Sequence, residues 1–339
     1  MNITTLGIDL AKSVFQLHGV DCSGKAVLKK KLSRDKLMST IAQLPACRIV
    51  MEACGGANHW AREFKKLGHE VKLISPQFVK PFLKGNKNDE QDAEAIVEAA
   101  SRPHMRYVSP KSVEQQDMQS LLRARESCIE IRTKIANQLR GLLMEYGIVM
   151  PKGINQLRKH MAQHLDRGEE NGLTEGFKGI LEAQYQIVTS MDEQIKRYEQ
   201  QIAVIARSHA TCRRVKEIKG VGPITAVALA AIIGDPKDFK NGRHFAAFLG
   251  LVPRQHSSGS RKQLLGISKR GDSYVRELLI HGARSVLSWA HRKTNANNLR
   301  LRELEQRIGM NRACVAIANK NARIVMSLLL KDQDYKVFA

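Results

Sequence analysis

The sequence has few acidic residues for its number of basic ones. Its 339 residues include 33 Asp and Glu against 55 Lys and Arg, which gives a formal net charge of +22 at pH 7 and a calculated pI near 9.9. The excess of basic residues is spread along the chain and not gathered in one tail. Such a composition favours a broad surface that binds a polyanion over a basic exterior that is merely solvated.

Paired cysteines and long apolar runs are also missing. The six cysteines include no CxxC pair, which argues against a zinc ribbon and against a disulfide framework. No apolar run reaches the roughly 18 residues of a membrane span, and no signal peptide is evident. We therefore expect a cytoplasmic protein with reduced thiols and no membrane association.

A short β-rich segment near the start of the chain ends in a single carboxylate. Residues 3–8 are mostly apolar and are followed by Asp9, and the pattern recurs at 47–51, which precede Glu52. A carboxylate on a buried strand is costly unless it is compensated, and a divalent metal is the usual compensator. Ordinary turn chemistry is the alternative for an aspartate at the end of a strand.

Strands and helices alternate over the first hundred residues. Residues 13–20 and 26–32 are expected to form an antiparallel meander with the first strand, and residues 34–44 a short amphipathic helix. A helix over 58–67 and a strand over 70–75 follow. This alternation predicts an α/β domain with a mixed sheet.

Two further carboxylates, Asp89 and Asp92, lie in the first turn of a predicted helix that follows a Gly/Asn/Lys-rich loop. Residues i and i+3 share one helix face. Acids are also enriched in first helical turns because of the helix dipole, so the pair alone decides nothing. With Asp9 and Glu52, however, the chain has four carboxylates, a set that can hold two Mg²⁺ ions about 4 Å apart for phosphoryl transfer.

The middle of the chain predicts a long helical hairpin. Residues 113–146 are free of proline, and Pro151 and Gly153 break this arm. In the second arm, residues 175–207, apolar residues alternate in steps of four and three, which is the seam of a coiled coil. This arm would be about 50 Å long at about 1.5 Å per residue. The arms can pack on each other or pair with a second copy, and the pattern does not separate these alternatives.

Residues 215–226 match a helix-hairpin-helix. Gly220 and Gly222 permit the tight turn, and the following helix offers free backbone N–H groups to a phosphate. Such hairpins bind the DNA backbone without reading its sequence. A packing corner between two helices is the alternative.

Serine, glycine and basic residues crowd together over residues 250–272, which predicts a mobile basic loop. A phosphate-binding loop is the plain interpretation, but the stretch also has what a serine nucleophile attacking a phosphodiester needs. No Ser-His-Asp arrangement is evident, and His256 is too close in sequence to be an ordinary triad base. The next segment predicts helices, with Tyr274 and Trp289 in their core and not stacked on bases.

These motifs resemble those of a known family. Asp9 in Gly-Ile-Asp-Leu-Ala-Lys, Glu52 in Met-Glu-Ala-Cys-Gly-Gly and the pair in Asn-Asp-Glu-Gln-Asp-Ala resemble the RuvC-like, RNase H-fold domain of the DEDD insertion-sequence transposases. That family includes the Piv-type DNA invertases and the bridge-RNA-guided recombinases of insertion-sequence family 110. His-Ser-Ser-Gly followed by Gly-Ile-Ser-Lys-Arg-Gly-Asp is similar to the signature of the family's transposase domain. There the serine before the glycine is the nucleophile, which corresponds to Ser258, with Ser257 as the alternative.

The resemblance implies a fold of three parts. These are a RuvC-like α/β domain over residues 1–112, a long antiparallel coiled coil over 113–208 and a mainly helical serine transposase domain with a helix-hairpin-helix over 209–339. It also implies a homo-oligomer, a dimer that assembles to a tetramer, because coils of this family assemble in that way. The location implied is the bacterial cytoplasm, in association with the nucleoid.

The resemblance further implies that Ser258 attacks a phosphodiester of target or donor DNA and forms a covalent phosphoserine. The Mg²⁺ ligands would be the tetrad of Asp9, Glu52, Asp89 and Asp92. Strand exchange would pass through a Holliday-junction-like intermediate, directed by a noncoding bridge RNA.

Two other interpretations stay open. One is a metal-dependent junction resolvase that uses water, with Ser258 as a phosphate contact, and the other is a nucleic-acid scaffold without enzymatic activity. In every case basic residues and turn glycines are the candidates for nucleic-acid contacts: Lys12, Lys84, Lys87, Gly220, Gly222, Arg254, Arg261, Lys262, Lys269 and Arg270.

Overall fold

The computed structural model describes residues 2–83, 89–166, 172–258, 261–292 and 295–335, without the side chains of residues 89, 90, 261 and 262. The chain divides into two units. Unit 1 contains Met1–Glu114 and Ile233–Asp238, and unit 2 contains Gln115–Ile232 and Phe239–Ala339. The three-domain division expected from the sequence stays a prediction.

Unit 1 is built on a six-stranded sheet. Its elements are β1 (Thr5–Leu10), β2 (Val14–Val20), β3 (Ala26–Ser33), α1 (Arg34–Ala42), β4 (Arg48–Glu52), α2 (Ala57–Lys66), β5 (Glu70–Ile74), α3 (Pro76–Val79), α4 (Asp89–Ala100) and β6 (Tyr107–Val108). The strand order is β3-β2-β1-β4-β5-β6. β1 pairs antiparallel with β2 and parallel with β4, and β5 is parallel to β4. The predicted mixed α/β sheet is confirmed.

Helices cover both faces of this sheet. Alternate residues of a strand point to opposite faces, and Ile8 and Met51 pack with Phe64 of α2 on one face. On the other face, Val50 packs with Ile96 of α4. Burial on both faces explains why β1 and β4 are nearly continuous apolar runs.

Gly7 allows α4 to lie directly on β1. A Cβ atom at this position would come within 2.6 Å of the Ala93 carbonyl oxygen and of the Val97 side chain. Gly7 and Asp9 are two residues apart on one strand, so both face α4. The close approach therefore sets where α4 lies relative to the first carboxylate.

The rest of the chain is mostly helical, as predicted. Its helices are α5 (Val113–Met144), α6 (Ile154–Asp166), α7 (Glu175–Ser208), α8 (Ala210–Lys216), α9 (Pro223–Ile232), α10 (Gly242–Phe248), α11 (Ser273–Ala290), α12 (Ala296–Ile308) and α13 (Met310–Lys331). Two strands, β7 (Pro253–Ser258) and β8 (Arg261–Ile267), pair antiparallel. The prediction of a mobile loop over residues 250–272 is therefore wrong for these strands. Serine, glycine and lysine have little strand preference, and the pairing that orders this segment is not visible in its composition.

α5 and α7 pack antiparallel in unit 2. A side-chain nitrogen of Arg125 lies 2.6 Å from Glu199, and one of Arg132 lies 2.8 Å from Asp192. Seven residues forward on one helix thus correspond to seven residues backward on the other. The helical hairpin predicted from the sequence is present, and a supercoil of its arms stays a prediction.

α6, which the sequence pattern did not predict, completes this helical core. Leu157 and Met161 of α6 are buried together with Leu139 of α5 and Leu181 of α7. The polar composition of α6 and the glycine before it hide a short apolar stripe, which becomes evident only when its partners are known.

α13 is long and apolar enough, by length and composition alone, to cross a membrane, and 44% of its most apolar window is buried. The sequence nevertheless contains no unbroken apolar run of this length, because residues such as Lys320 and Arg323 interrupt the helix. The helix packs against α10, α11 and α12, and Ala318 and Val325 are fully buried. Such burial is typical of a core helix, and one helix of this kind is weak evidence for a membrane span.

Candidate active site

Two acidic side chains lie beside each other at one edge of the unit 1 sheet. β1 and β4 are parallel, with Ile8 opposite Met51. The next residues, Asp9 and Glu52, therefore lie on neighbouring strands where both strands end. Glu52 follows Val50 by two residues, so it faces α4, as Asp9 does. Both side chains are half-buried.

α4 brings a third carboxylate to this edge. The helix begins at Asp89, packs on β1 at Gly7 and carries a half-buried Asp92 in its first turn. The negative charge of Asp92 acts on Glu52. The side chain of Asp89 lies outside the described residues, so three of the four predicted ligands are located.

The environment of Glu52 disfavours its ionisation. Burial raises the pKa of Glu52 above its ordinary value, and the charges of Asp9 and Asp92 raise it further. Burial also raises the pKa of the nearby Cys54 thiol, with contributions from Glu52 and Asp9. Lost hydration and like charge act in the same direction here. A bound divalent cation would reverse both effects.

The donor set fits a hard divalent cation, since carboxylate oxygens are the protein ligands that Mg²⁺ prefers. Among the side chains that the structure describes, which leave out Asp89, no three acidic, histidine or cysteine groups are gathered closely enough to enclose an ion. The described residues thus give the ligand chemistry and its location at the sheet edge, but not a closed coordination shell.

Ser258 and Ser257 end β7 in unit 2 and differ in their contacts. The Ser257 hydroxyl accepts a hydrogen bond from Gln255 Nε2 at 2.9 Å. The Ser258 hydroxyl makes no hydrogen bond to the residues described, which exclude 259–260. All of β7 is exposed, and neighbouring residues of a strand point to opposite faces. The two serines are therefore not equivalent, and Ser258 has the hydroxyl without a partner in the described chain.

The glycines and the aspartate around this hairpin have structural roles. A Cβ atom on Gly271 would lie 2.0 Å from the Phe248 carbonyl oxygen, and one on Gly250 would lie 2.3 Å from that of Arg270. Asp272 caps the start of α11 through its side chain. Part of the predicted signature thus holds the base of the hairpin in place.

The helix-hairpin-helix appears as α8, a turn and α9. Gly220 has a φ of +89°, and a Cβ atom on it would come within 2.9 Å of the Gly282 carbonyl oxygen in α11. Gly222 is exposed, and no atom lies within 4 Å of its Cβ position. Gly220 therefore fixes the turn against α11, whereas Gly222 leaves the backbone open to a ligand.

The predicted basic contacts are only partly located. Four of them have exposed side chains, as a phosphate contact requires: Lys12, Arg254, Lys269 and Arg270. Four others lie outside the description, either entirely or in their side chains: Lys84, Lys87, Arg261 and Lys262.

The prediction that Trp289 is a core residue is wrong, because its side chain is 59% exposed. Trp289 follows the buried Leu287 by two residues, which turns it about 200° round the helix, away from Leu287. Tyr274 is half-buried, and burial raises the pKa of its phenol. Helical spacing alone could have identified Trp289 as a surface residue.

Comparison with known proteins identifies the family. Residues 6–148 match a transposase family of the DEDD, IS110 type, and residues 212–298 match the Transposase IS116/IS110/IS902 family. The first match contains all four carboxylates, and the second contains Ser258 and its hairpin.

The chain is also similar along its length to transposases of several bacteria. It is 48% identical to the transposase for insertion sequence element IS1111A of Coxiella burnetii, over 99% of this chain and 92% of that protein. It is 46% identical to a probable family 20 transposase of Pseudomonas aeruginosa, over 99% of both chains. It is 40% identical to the transposase for insertion sequence element IS1328 of Yersinia enterocolitica, over 95% of this chain and 96% of that protein. The chain belongs to the IS110 family of transposases, enzymes of DNA recombination.

Proposed function

We propose that this transposase cuts and rejoins DNA by joint action of its carboxylate tetrad and Ser258. The observation that carries the proposal is that Asp9, Glu52 and Asp92 lie at one edge of the unit 1 sheet. There the charges of Asp9 and Asp92 oppose the ionisation of Glu52. The mixed sheet that supports them also favours the RuvC-like, RNase H-type fold expected from the resemblance.

The tetrad of Asp9, Glu52, Asp89 and Asp92 would hold Mg²⁺, which, when bound, supplies positive charge to the phosphate at which strands are exchanged. The protein's own contribution is to position the ligands. β1 and β4 fix Asp9 and Glu52, and Gly7 allows α4 to bring its first turn to the same edge.

Ser258 would act as the nucleophile. Its Oγ attacks a DNA phosphorus as its proton passes to water, and a phosphoserine bond forms while the bond to a deoxyribose oxygen breaks and that oxygen takes a proton. Attack by the hydroxyl of another strand reverses the step and releases the serine. The exposed hydroxyl of Ser258 and the exposed Arg254 on the same strand support this role, since guanidinium groups stabilise the charge of the transition state.

The exchange would pass through a Holliday-junction-like intermediate, with a structured noncoding bridge RNA choosing target and donor DNA. The net charge of +22 supports a large nucleic-acid load. Exposed apolar side chains on the long helices, among them Ile131 of α5 and Ile180 and Ile187 of α7, support pairing with a second copy. A dimer that assembles to a tetramer is the form we propose.

A covalent-trapping gel tests the mechanism. Protein, its flanking noncoding RNA, Mg²⁺ and labelled target DNA are mixed and separated under denaturing conditions, with Ser258→Ala and Ser257→Ala beside the wild type. We expect a protein-linked DNA band that Ser258→Ala abolishes and Ser257→Ala retains. Loss of the band in Ser257→Ala alone would identify Ser257 as the nucleophile.

A metal-dependent junction resolvase is the second candidate, favoured because all four carboxylates belong to unit 1. In this case water is the nucleophile and Ser258 contacts a phosphate. Cleaved DNA without linked protein, unaffected by either serine variant, would establish the resolvase and exclude the covalent mechanism.

A further inference from the structure

Trp289 is an exposed aromatic side chain for which the catalytic machinery gives no role. Its side chain is 59% exposed, in contrast to 5% for Trp60, the other tryptophan of the chain. The Arg292 guanidinium lies 4.8 Å from the centre of the Trp289 ring. No other ring among the residues described lies against this indole. One side of the indole is thus covered by a cation, and most of the side chain remains open to solvent.

The helix-hairpin-helix turn lies on the same side of α11. Gly220 of the turn packs on Gly282, and a Cβ atom at Gly220 would lie 3.0 Å from Val286 Cγ2. Gly282, Val286 and Trp289 follow the i, i+4, i+7 spacing of a single helix face. Trp289 therefore lies about 10 Å along the helix from the turn, at about 1.5 Å per residue.

We propose that Trp289 and Arg292 form a stacking platform for an unpaired base of a nucleic-acid strand whose backbone passes the open turn at Gly222. Stacking on an aromatic ring accepts any base, because every base has a π face, and a neighbouring arginine adds a cation–π contribution. Trp289 and Arg292 belong neither to the carboxylate tetrad nor to the serine motif, so they hold a strand and take no part in the chemical step.

The surroundings of Trp289 favour a base over a protein partner. Tryptophan and arginine also occur at the centre of protein interfaces, but there a ring of further contacts excludes water from them. Among the described residues of α11, Trp289 is the only large apolar side chain that is exposed. Its neighbours one turn away on the same side are the half-buried Val286 and the exposed Ser285 and Arg292. A lone aromatic residue beside a cation fits a stacked base better than an apolar interface.

The tryptophan content gives a direct test. In the full-length Trp60→Phe variant, Trp289 is the only tryptophan. This variant is titrated with single-stranded DNA, single-stranded RNA and duplex DNA of equal length, and its tryptophan fluorescence is followed. We expect quenching by the single strands at concentrations where they bind, and weaker quenching by the duplex. If Trp60→Phe does not fold, the wild type and Trp289→Phe are compared instead, and the wild type alone should show the quenching.

Affinity provides the second measurement. Trp289→Ala should weaken single-strand binding by about 5- to 150-fold, which corresponds to about 1–3 kcal/mol for one stacked base. Trp289→Phe should retain most of the affinity. Val204→Ala, which removes an equally exposed apolar side chain from α7, should leave it unchanged.

The proposal fails if the single strands bind without quenching Trp289, or if Trp289→Ala binds them as the wild type does. A variant that changes the sedimentation of the free protein but not its single-strand affinity would instead show an interface between copies. None of these outcomes depends on the covalent step, because trapping at Ser258 is read independently.

Discussion

Gly7 sets how close α4 comes to β1, and thereby where Asp92 lies relative to Asp9. In Gly7→Ala the new methyl group would meet the Ala93 carbonyl oxygen at 2.6 Å. Backbone cannot move aside as a flexible side chain can, so α4 must shift. We expect a loss of about 1–3 kcal/mol in the free energy of unfolding and a loss of DNA cleavage larger than that instability explains.

Urea unfolding and a strand-cleavage assay at a temperature where the variant is folded measure these two effects. Gly55→Ala is the matched control. Gly55 lies near the same edge of the sheet, and no atom lies within 4 Å of its Cβ position. Cleavage by Gly7→Ala at the wild-type rate would contradict this positioning role.

The two turn glycines of the helix-hairpin-helix should respond differently to alanine. Gly220→Ala forces a side chain into a φ of +89° against α11, so we expect a loss of about 1–3 kcal/mol in stability. Gly222→Ala meets no atom within 4 Å. Its stability should be unchanged and its DNA affinity lower, because the methyl group separates the backbone from a phosphate.

Thermal unfolding and DNA titration of both variants check this pair of expectations. Equal DNA affinity for Gly222→Ala and the wild type would indicate that the turn is a packing corner between two helices and does not bind the DNA backbone. The sequence identified both glycines, but only the contact with Gly282 distinguishes their roles.

The location of individual candidate residues was predictable where a local pattern marks them, and their roles stay predictions. An apolar strand that ends in one acid identified Asp9 and Glu52, because the length of a strand fixes where its carboxylate emerges. The exposure of Trp289 was not inferred, since an aromatic residue in an apolar helix suggests a core position. Its helical spacing from the buried Leu287, two residues earlier, would have placed it on the surface side of α11.

At the scale of elements, Asp192 links α5, α6 and α7. It lies 2.8 Å from a nitrogen of Arg132 and 2.6 Å from one of Arg158. Burial alone would raise the pKa of Asp192, but hydrogen bonds from Arg158 and Arg132 outweigh it, and the pKa is lowered. The ionised carboxylate therefore stabilises the packing of the three helices.

The sign of the pH dependence follows from this lowered pKa. The stabilisation is complete above the unfolded pKa of about 3.9 and is lost as the pH falls through the lower folded value. Asp192→Asn should cost about 1–3 kcal/mol at pH 7, and the difference from the wild type should shrink below about pH 3.9. Urea unfolding of both proteins at pH 7 and pH 3 measures the difference.

Glu193→Gln is the control for this experiment, because Glu193 is the next residue of α7 and its ion pair with Arg197 is exposed and 3.8 Å long. Its effect should be small at both pH values. A cost of Asp192→Asn that is the same at pH 3 and pH 7 would contradict the ionic contribution.

Elements with a strong internal period were predicted closely, and elements held by remote partners were not. The predicted helix over 58–67 is α2, Ala57–Lys66, and the strand over 70–75 is β5, Glu70–Ile74. The hairpin of β7 and β8 has no alternation of apolar and polar residues, so its composition suggested a loop. What orders it is cross-strand pairing together with the tight base at Gly250 and Gly271.

At the scale of the whole molecule, composition predicted the partner class and order along the chain predicted the family. An excess of positive charge is a summed property that no single residue determines. Carboxylate motifs in the first unit and a serine motif in the second are the two features that the family matches contain. The arrangement of copies and the path of nucleic acid depend on partners, so they lie beyond what one chain specifies.

Binding and chemistry should separate in this molecule, and salt dependence is the means to separate them. Asp92→Asn removes a proposed metal ligand without removing a positive charge. We expect strand cleavage to be lost while DNA affinity and its salt slope stay at the wild-type values or rise slightly, since one repulsive charge is gone. Arg254→Ala removes an exposed cation and should lower the slope of log K against log salt by about 0.9 if it contacts one phosphate.

Fluorescence anisotropy of labelled DNA between 50 and 200 mM salt, about the range over which such slopes are measured, gives both slopes, and a cleavage gel gives the chemistry. Cleavage by Asp92→Asn at the wild-type rate would exclude Asp92 as a metal ligand that the reaction needs, because a neutral amide oxygen holds Mg²⁺ more weakly than a charged carboxylate does. An unchanged slope for Arg254→Ala would place Arg254 away from the phosphates. Because Asp92→Asn should alter only the chemistry and Arg254→Ala should alter the binding, the two results together show whether the carboxylates and the basic strand have separate roles.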